Sequence, residues 1–480
     1  MMTSLMHHPF FTLLGLLFLL CNTVTLANAQ SPAVYYDNPL IHQRADPHIL
    51  KHTDGWYYFT ASVPEYDRII LRRSETIQGL ADAREVTIWN KDSSKAGVGY
   101  VWAPEIHHID GKWYIYFALG RKSDFDIRMF VLEGTGDDAL TALWAEKSWI
   151  ETDWDTFSLD ATTFEVNNIR YLSWAQAEPD LEGTSLMLAP MENPWTLKLP
   201  AVVISRPELA WERIGHNVNE GPYALIRNNK VWLTFSASAT DHNYAMGLLS
   251  ADVDAELMNP DVWSKTEEPV FMSNTNTSQY GPGHNCFTTS EDGLSDIMIY
   301  HSRQYRNISG EPLNNPDRHA RVQKLYWTPD GTPAFGIPVV DGETPIRLRS
   351  TSKPHALVEH NGSGIVGLQH HEGSLTRTQF RIISPGLAGR NTISLELADT
   401  PGFVLAIDES KLSVGVVANG TDNKTSASFI KHRGLSDGKG ASFEMAGKRG
   451  HYVQAGNNNT LVVSQVRGKR QKRQATFHLE

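Results

Sequence analysis

Five segments between residues 45 and 303 share one plan, and this repetition constrains the fold more than any other feature of the chain. Each has a polar residue, a short extended stretch, a turn such as Asp-Gly or Asn-Asn, and a strand rich in aromatic and β-branched residues. This pattern is typical of a β-hairpin. The segments are ADPHILKHTDGWYYFTAS from Ala45, APEIHHIDGKWYIYFAL from Ala103, LDATTFEVNNIRYLSWAQ from Leu159, NEGPYALIRNNKVWLTFSAS from Asn219 and GHNCFTTSEDGLSDIMIYHSR from Gly283.

Five β-rich units of this size, uninterrupted by amphipathic helices, predict an all-β chain that begins with a five-bladed β-propeller. In such a fold the innermost strand of each blade lines the central channel. The polar residue that leads each segment would then reach one mouth of that channel. These leading residues, 55 to 64 positions apart, are Asp46, Glu105, Asp160, Glu220 and His284.

The C-terminal part of the chain repeats on a different period. SLELADTPGFVL at 394–405 and SFEMAGKRGHYV at 442–453 align at an offset of 48 residues, and a fainter copy precedes them. Three β-rich units of about this size predict a β-trefoil. A Pro- and Gly-rich stretch at 332–345 marks the boundary. We therefore expect a propeller over 30–340 and a trefoil over 346–480.

Charge and hydropathy exclude some partners and indicate a compartment. The net charge of −11 argues against a nucleic acid as partner, and we expect the basic run 467–473 to form a solvated surface strand pair. Residues 1–29 have the pattern of a secretory signal peptide, with FFTLLGLLFLL too short to span a bilayer and Ala27-Asn28-Ala29 as cleavage site. No other stretch could cross a membrane, so we expect a secreted protein.

The cysteine and glycosylation patterns agree with secretion. Cys21 lies inside the predicted signal peptide, so Cys286 alone remains and no intramolecular disulfide can form. Six Asn-x-Ser/Thr sequons suit a secreted glycoprotein, and they are Asn276, Asn307, Asn361, Asn419, Asn423 and Asn458.

Three leading residues, Asp46, Asp160 and Glu220, suit glycoside hydrolysis. That reaction needs one protonated carboxylic acid to donate to the leaving oxygen and one carboxylate to activate water or to attack. Crowding and partial burial can raise the pKa of the acid. A single acidic residue before a strand is more often a turn cap. Three in register at channel-facing positions favour catalysis instead.

Two other residues are candidates for binding. His284 lies in the glycine-rich YGPGHNCF, where it could face a cation, although a single His is more often structural. Trp102 lies close to Glu105 in VWAPEIH, and it could stack on a sugar face, although a Trp often belongs to a core. We expect Cys286 to pack as a small hydrophobe.

Together these motifs resemble glycoside hydrolase family 43. RADPHIL, WAPEIH, LDATTF, NEGPYAL and GPGHN occur in the order typical of the family, within about residues 35–345. The resemblance implies a five-bladed propeller and an inverting mechanism. An inverting site separates its two carboxyl groups by roughly 6.5–9.5 Å, which leaves room for water.

The resemblance also implies individual roles. Asp46 would be the general base that activates water, and Glu220 the general acid. Asp160 would orient the acid and adjust its pKa. An arginine near the end of the last blade commonly contacts the sugar in this family, and Arg318 and Arg321 both compete for that role.

For cofactors, the resemblance implies none in the chemistry itself. A structural cation, calcium or sodium, would lie near His284. Trp102 and Glu105 would contact the substrate at the channel mouth.

The C-terminal segment resembles the arabinofuranose-binding domain of carbohydrate-binding module family 42, best over TQFRIISPGLAGRNTISLELADTPGFVL. Repeats of that family carry a His after a Gly-aromatic strand and an Asp before an Ala-Thr-Phe-like triplet. The His positions here hold His360, Ile407 and Ala455, and the Asp positions hold Arg377, Ser426 and Gln474. We therefore expect a domain that folds normally but binds arabinofuranose weakly or not at all.

The leading hypothesis is a secreted, monomeric α-L-arabinofuranosidase that releases arabinose from the ends of α-1,5-arabinan chains. Its partners would be plant cell-wall polysaccharides such as arabinan and arabinoxylan. A β-xylosidase or an endo-arabinanase on the same scaffold is an alternative, because loops decide between a pocket and a groove. A carbohydrate-binding protein without catalysis is a further alternative, against which the intact carboxylates argue.

Overall fold

The structure, a computed structural model, describes residues 33–361, 364, 366–370 and 374–480. They form five four- or five-stranded sheets followed by a closed β-barrel, so the all-β class and the five-bladed propeller are confirmed. The predicted signal peptide at 1–29 lies outside the described residues. Within the described ranges, no helix has the length and apolar character needed to cross a membrane.

Each blade is an antiparallel sheet that begins at the central channel with its first strand. Blade 1 comprises Ala45–Lys51, Tyr57–Ser62, Arg68–Ser74 and Val86–Asn90. Blade 2 comprises Val101–Ile109, Lys112–Gly120, Ile127–Thr135 and Leu143–Trp149. Blade 3 comprises Ser158–Val166, Ile169–Gln176, Ser185–Asn193, Thr196–Leu197 and Val202–Ser205. Blade 4 comprises Asn219–Arg227, Lys230–Ala237, Ala245–Asp252 and Ser264–Lys265, and blade 5 comprises Tyr280–Thr289, Asp296–Arg303, His319–Trp327 and Pro333–Ala334.

Two-residue turns join the first and second strands of blades 2, 3 and 4. They are Asp110-Gly111, Asn167-Asn168 and Asn228-Asn229, and all six residues have a positive φ. A type I′ hairpin turn requires that backbone, and Gly, Asn and Asp adopt it at the least cost. The hairpins predicted from the turn residues are therefore confirmed.

Aromatic side chains on the second strands pack the blades against one another. Trp113 and Phe117 of blade 2, Trp174 of blade 3 and Phe235 of blade 4 are all fully buried. Burial of each such ring stabilises the fold by about 1.5–3 kcal/mol. This packing explains why the repeated segments all end in an aromatic strand.

A short N-terminal segment closes the propeller against blade 5. Asp37–Asn38 pairs with Gly342–Glu343, and Ile41 forms a bridge with Ala320. The buried Asn38 side chain donates to the carbonyl of Val322 and accepts its N–H, both at 2.8 Å. The amide thus satisfies two backbone groups that the blade leaves unpaired.

The C-terminal barrel is built from twelve strands in one sheet. Its ring closes because Phe477–Leu479 pairs with both Ile346–Ser350 and Ala441–Met445. Phe380, Phe429 and Phe443 are buried in its core. The other strands are Ala356–His360, Val366–His370, Gln379–Ile383, Ser394–Leu397, Phe403–Asp408, Ser413–Ala418, Phe429–Arg433, His451–Ala455 and Leu461–Gln465.

Regular helix is scarce in the described residues. The α-helix Lys469–Gln474 covers most of the basic run 467–473, so the prediction of a strand pair there is wrong. Lys, Arg and Gln are good helix formers, and none of these residues is buried. Helix propensity, and not packing, therefore determines the local structure. Short 3₁₀ segments lie at Gln78–Leu80, Lys91–Ser93, Ala210–Glu212, Pro260–Val262, Pro312–Asn314, Thr376–Thr378 and Asn457–Asn459.

The substitution Asn38→Ala tests whether the N-terminal segment closes the propeller against blade 5. It leaves the buried N–H and carbonyl of Val322 without partners, and each such group costs about 1–3 kcal/mol. We expect the free energy of unfolding of the propeller to fall by at least that amount. All 13 Trp residues lie between positions 56 and 327, so Trp fluorescence in a guanidinium titration reports the propeller alone.

The matched control is Asn457→Ala, at an exposed position in the barrel. We expect this control to leave the propeller transition unchanged. An Asn38→Ala transition that overlays that of the unsubstituted chain would show that Asn38 does not hold the ring closed.

Candidate active site

The first strand of every blade contains a β-bulge, and one residue of each bulge has a left-handed backbone. The register breaks after Ala45, Trp102, Leu159, Glu220 and Gly283. The next residue has a φ between 45° and 58°, and these residues are Asp46, Ala103, Asp160, Gly221 and His284. Such bulges re-aim side chains, and the left-handed region costs free energy in any residue but Gly. The strain therefore lies at one mouth of the channel.

The bulges correct the predicted alignment of the five leading residues. Asp46, Asp160 and His284 do occupy equivalent positions, as predicted. Glu220 lies one residue before its bulge residue, and Glu105 lies two residues after Ala103. The prediction that all five are equivalent is therefore wrong for Glu220 and Glu105.

A cavity of about 190 Å³ opens at this mouth. Pockets for drug-sized ligands measure roughly 300–1,000 Å³, so this one suits a smaller ligand. Its polar lining includes Asp46, Asp160, Glu220, His284 and Arg318, and its apolar lining comprises Trp102, Ala103, Phe125, Phe157, Leu159, Val218 and Leu313.

The channel is filled behind the pocket. The residues two positions after the bulge residues are His48, Glu105, Thr162, Tyr223 and Cys286. The ring of His48 in blade 1 lies 5.7 Å from that of Tyr223 in blade 4, so side chains meet across the axis. Cys286 is buried and accepts the N–H of Ile49. The pocket is therefore a dead end.

Asp46 is held in its ionised form. Burial by itself would raise the pKa of this carboxyl, but the positive charge of Arg318, with the hydrogen bond from Ser62, outweighs it and holds the pKa well below its usual range. Arg318 Nη1 donates to Asp46 Oδ1 at 3.1 Å, and the Ser62 hydroxyl donates to Oδ2 at 2.6 Å.

The pKa values of Glu220 and Asp160 shift in the opposite direction to that of Asp46. Burial, with a smaller contribution from the charge of Asp46, raises the pKa of Glu220 to about 7. Burial and the charges of Glu220 and Asp46 raise the pKa of Asp160 as well. The N–H of Gly221 donates to Asp160 Oδ2 at 3.0 Å, which favours the ionised form of Asp160. The pair therefore retains a proton at pH values where Asp46 has lost its own.

The two competing arginines lie in different places. Arg318 lines the pocket and contacts Asp46, and its Nη2 donates to the hydroxyl of Tyr66 at 2.9 Å. Arg321 is fully buried, donates to the carbonyl of Val339 and pairs with Asp341. The structure thus places Arg318 at the site and Arg321 outside it.

Trp102 lines the pocket, whereas Glu105 does not. Trp102 stacks on Tyr100 and contacts Phe125 edge to face. Its indole Nε1 is buried and has no hydrogen-bond partner among the described residues. Glu105 faces the filled channel instead, where its carboxyl lies 2.9 Å from His107 Nε2.

Among the described residues, one group has the spacing of metal ligands, and His284 is not part of it. The donor atoms of His48, Glu105 and His107 lie within 4.8 Å of one another. However, the N–H of Ile106 donates to His48 Nδ1 at 3.4 Å, which leaves the proton of a neutral ring on Nε2. That nitrogen lies 3.9 Å from the Glu105 carboxylate and has no hydrogen-bond partner among the described residues, whereas His107 Nε2 lies 2.9 Å from the same carboxylate.

Two residues at the site escaped the sequence analysis. The Tyr244 hydroxyl donates to Glu220 Oε1 at 2.8 Å, and His301 Nδ1 accepts the N–H of Asp46 at 3.1 Å. Neither belongs to the leading position of a repeat. His301 lies on the second strand of blade 5, opposite Gly283. This position is the one signal from which its approach to the bulge of blade 1 could have been predicted.

In the barrel, the positions predicted to have lost ligands are mostly closed. Ile407 and Ala455 are buried in apolar surroundings, and Ser426 is buried. His360 Nε2 lies 3.0 Å from Asp399 Oδ1, and His360 borders a second cavity together with Arg377.

Comparison with known proteins agrees with this geometry. Residues 36–333 match the model for glycosyl hydrolases family 43, and residues 346–479 match that for the alpha-L-arabinofuranosidase B (ABFB) domain. Alpha-L-arabinofuranosidase B of Pyricularia oryzae is 55% identical over 95% of this chain and 96% of its own length. The extracellular exo-alpha-(1->5)-L-arabinofuranosidase of Streptomyces avermitilis is 49% identical over 94% of each chain.

A solved structure gives the same result for the propeller. The crystal structure of alpha-L-arabinofuranosidase from Lactobacillus brevis covers 64% of this chain and 98% of that one, with 51% identity and a TM-score of 0.62. Since the family model spans more than half of the chain and relatives match it almost end to end, the chain is a glycoside hydrolase that belongs to family 43 of the glycosyl hydrolases.

Proposed function

We propose that this glycoside hydrolase is a secreted α-L-arabinofuranosidase that removes single arabinose units from the ends of α-1,5-arabinan chains. The observation that carries the proposal is a dead-end pocket whose carboxyls differ in protonation. The names of the relatives from Pyricularia oryzae and Streptomyces avermitilis support arabinose as the released sugar.

Asp46 would act as the general base. Its carboxylate is ionised, since Arg318 and Ser62 both donate to it. An ionised carboxylate can take a proton from water as that water attacks the anomeric carbon. Arg318 also holds the carboxylate at the pocket floor.

Glu220 would act as the general acid. Its raised pKa keeps a proton available for the departing sugar oxygen. Asp160 would hold the acid in place, because it accepts the N–H of Gly221, the residue next to Glu220. Burial and the negative charge of Asp46 disfavour loss of the Glu220 proton.

The pocket would take one sugar ring, with Trp102 as a contact. The ring of Trp102 lines the pocket and would pack against the sugar. The filled channel behind the pocket blocks a continuing chain. These features favour exo over endo action.

A cation is not needed for these steps. We expect a structural calcium or sodium ion, if bound, near His284, whose Nδ1 lies 3.5 Å from Asp46 Oδ1 and 3.9 Å from Asp160 Oδ2. One imidazole and oxygen donors suit such an ion only if water supplies further ligands. Its charge would favour the ionised form of the neighbouring carboxylates.

The barrel would be a β-trefoil with weak affinity for arabinofuranose. Six of the twelve strands pair in a closed ring, and the other six form three hairpins, which supports a trefoil. The ring strands are Ile346–Ser350, Gln379–Ile383, Ser394–Leu397, Phe429–Arg433, Ala441–Met445 and Phe477–Leu479. All six sequons are exposed, so each can carry a glycan, which supports a secreted glycoprotein.

The products from linear α-1,5-arabinan test the function. Because the pocket is closed behind Asp46 and Asp160, we expect arabinose as the sole product at every time point, measured by anion-exchange chromatography. A ladder of oligomers would show endo action and contradict the pocket. Release of xylose from xylo-oligosaccharides, with arabinan untouched, would identify a β-xylosidase, and no product from either would favour a binding protein.

Glu220→Gln tests the acid. On arabino-oligosaccharides we expect kcat to fall by about 10²–10⁴-fold, since the sugar oxygen must be protonated as it leaves. On nitrophenyl arabinofuranoside, whose leaving group needs little protonation, the loss should be much smaller. Equal losses on both substrates would remove Glu220 from the role of acid. Glu192→Gln, at an exposed carboxyl in blade 3, is the control and should change neither rate.

The pH profile of kcat/KM tests both carboxyls together. Activity requires protonated Glu220, so it should fall as pH rises through about 7. It also requires ionised Asp46, whose lowered pKa puts the acid limb below the ordinary range of about 3.9. Since Glu220 and Asp160 interact, the alkaline limb reports the pair. A profile that is flat between pH 6 and 9 would contradict this assignment.

A further inference from the structure

Tyr244 is a buried residue that touches the proposed acid. It lies in blade 4 directly before the strand Ala245–Asp252, and only 1% of it is exposed. Its hydroxyl donates to Glu220 Oε1 at 2.8 Å. Burial raises the pKa of this phenol well above its usual value, so it remains a donor throughout the working pH range.

The Tyr244 ring also rests on the group that holds the proposed base. Its ring lies parallel to that of His301, with centroids 5.7 Å apart and planes 7° apart. His301 Nδ1 accepts the N–H of Asp46, so the proton of this neutral ring is on Nε2. Burial, together with Arg318, lowers the pKa of His301 far below its usual value, which keeps the ring neutral.

A glycine makes this arrangement possible. Gly283 pairs with His301, and a Cβ at Gly283 would lie 2.5 Å from Cε1 of Tyr244. No larger residue leaves room for the tyrosine ring there. The stack from Gly283 through Tyr244 to His301 therefore forms one wall beneath the acid and the base.

We propose that Tyr244 is a positioning residue, which aims the carboxyl of Glu220 and determines the pH at which this acid loses its proton. The proposal rests on the proposed role of Glu220. A donated hydrogen bond stabilises the ionised carboxylate and so opposes the retention of a proton. The other charged or titratable groups that act on Glu220 are Asp46, Asp160 and Arg318.

The opposing influences explain why such a residue is useful. Burial and the charge of Asp46 favour the protonated form of Glu220, whereas Tyr244 and Arg318 favour the ionised form. An acid is most effective when its pKa lies near the working pH, because it must both hold and release its proton. Tyr244 would offset part of the effect of burial.

The test is Tyr244→Phe, which keeps the ring on His301 and removes only the hydroxyl. We expect the alkaline limb of kcat/KM on arabino-oligosaccharides to move upward by about one pH unit, because a hydrogen bond to the charged form is lost. On the plateau between the acid and alkaline limbs, kcat/KM should fall by less than about tenfold. A limb that stays in place, or moves downward, would overturn the proposal.

Tyr300→Phe is the matched control. Tyr300 is a fully buried tyrosine of blade 5, whose hydroxyl donates to Gln323 and not to a pocket residue. We expect this variant to lower stability without moving the alkaline limb. An equal shift in both variants would mean that the limb reports general loosening of the propeller, and would overturn the role of Tyr244.

A second substitution covers the case in which Tyr244→Phe does not fold. Replacement of Tyr244 by 3-fluorotyrosine gives a more acidic phenol and a stronger donor, so the limb should move downward. An unchanged limb would contradict the proposal. The result is separable from the proposed function, since loss of Glu220 as the acid would be seen in Glu220→Gln whatever Tyr244 does.

Discussion

The left-handed residue in the first-strand bulge of each blade is the constraint on which the site depends. A regular strand would send alternate side chains up and down the channel wall. The bulge turns Asp46, Asp160 and His284 towards one mouth instead, at a cost in backbone strain. Polar groups of the preceding blade hold these bulges: Ser62 accepts the N–H of Ala103, Ser236 that of His284, and His301 that of Asp46. The positions of the pocket side chains are thus supported by neighbouring blades.

The carboxyls of the pocket differ in pKa because only one of them contacts an arginine. Desolvation raises the pKa of every carboxyl in this cluster. Arg318 contacts Asp46 directly and reverses the shift there, while Glu220 and Asp160 keep raised values. Two acidic groups of similar intrinsic strength thereby differ in protonation, as the proposed roles of base and acid require. The neutral imidazole of His301 adds a hydrogen bond without adding charge.

The sequence predicted the repeats and hairpins well, because turn residues and aromatic strands act over a few positions. The pairs Asn167-Asn168 and Asn228-Asn229 predict a type I′ turn by themselves, because Asn readily adopts the positive φ that this turn requires. The register of Glu105 and Glu220 was mispredicted by one or two residues, because a bulge inserts a residue without changing composition. Arg318 and Arg321 could not be distinguished, since the choice depends on which face of blade 5 meets the pocket. Tyr244 and His301 were missed because only inter-blade packing brings them to Glu220 and Asp46.

The sequence by itself determined the all-β class, the five blades and the carboxylates that reach the channel mouth. These follow from periodicity, turn chemistry and repeat length, which are local properties. Tertiary structure alone decided which arginine meets Asp46, how Tyr244 meets Glu220, and that Glu105 faces the filled channel. Each of these depends on contacts between blades far apart in the chain, and on the burial that those contacts create. The protonation states follow from that burial, so they too belong to the folded molecule.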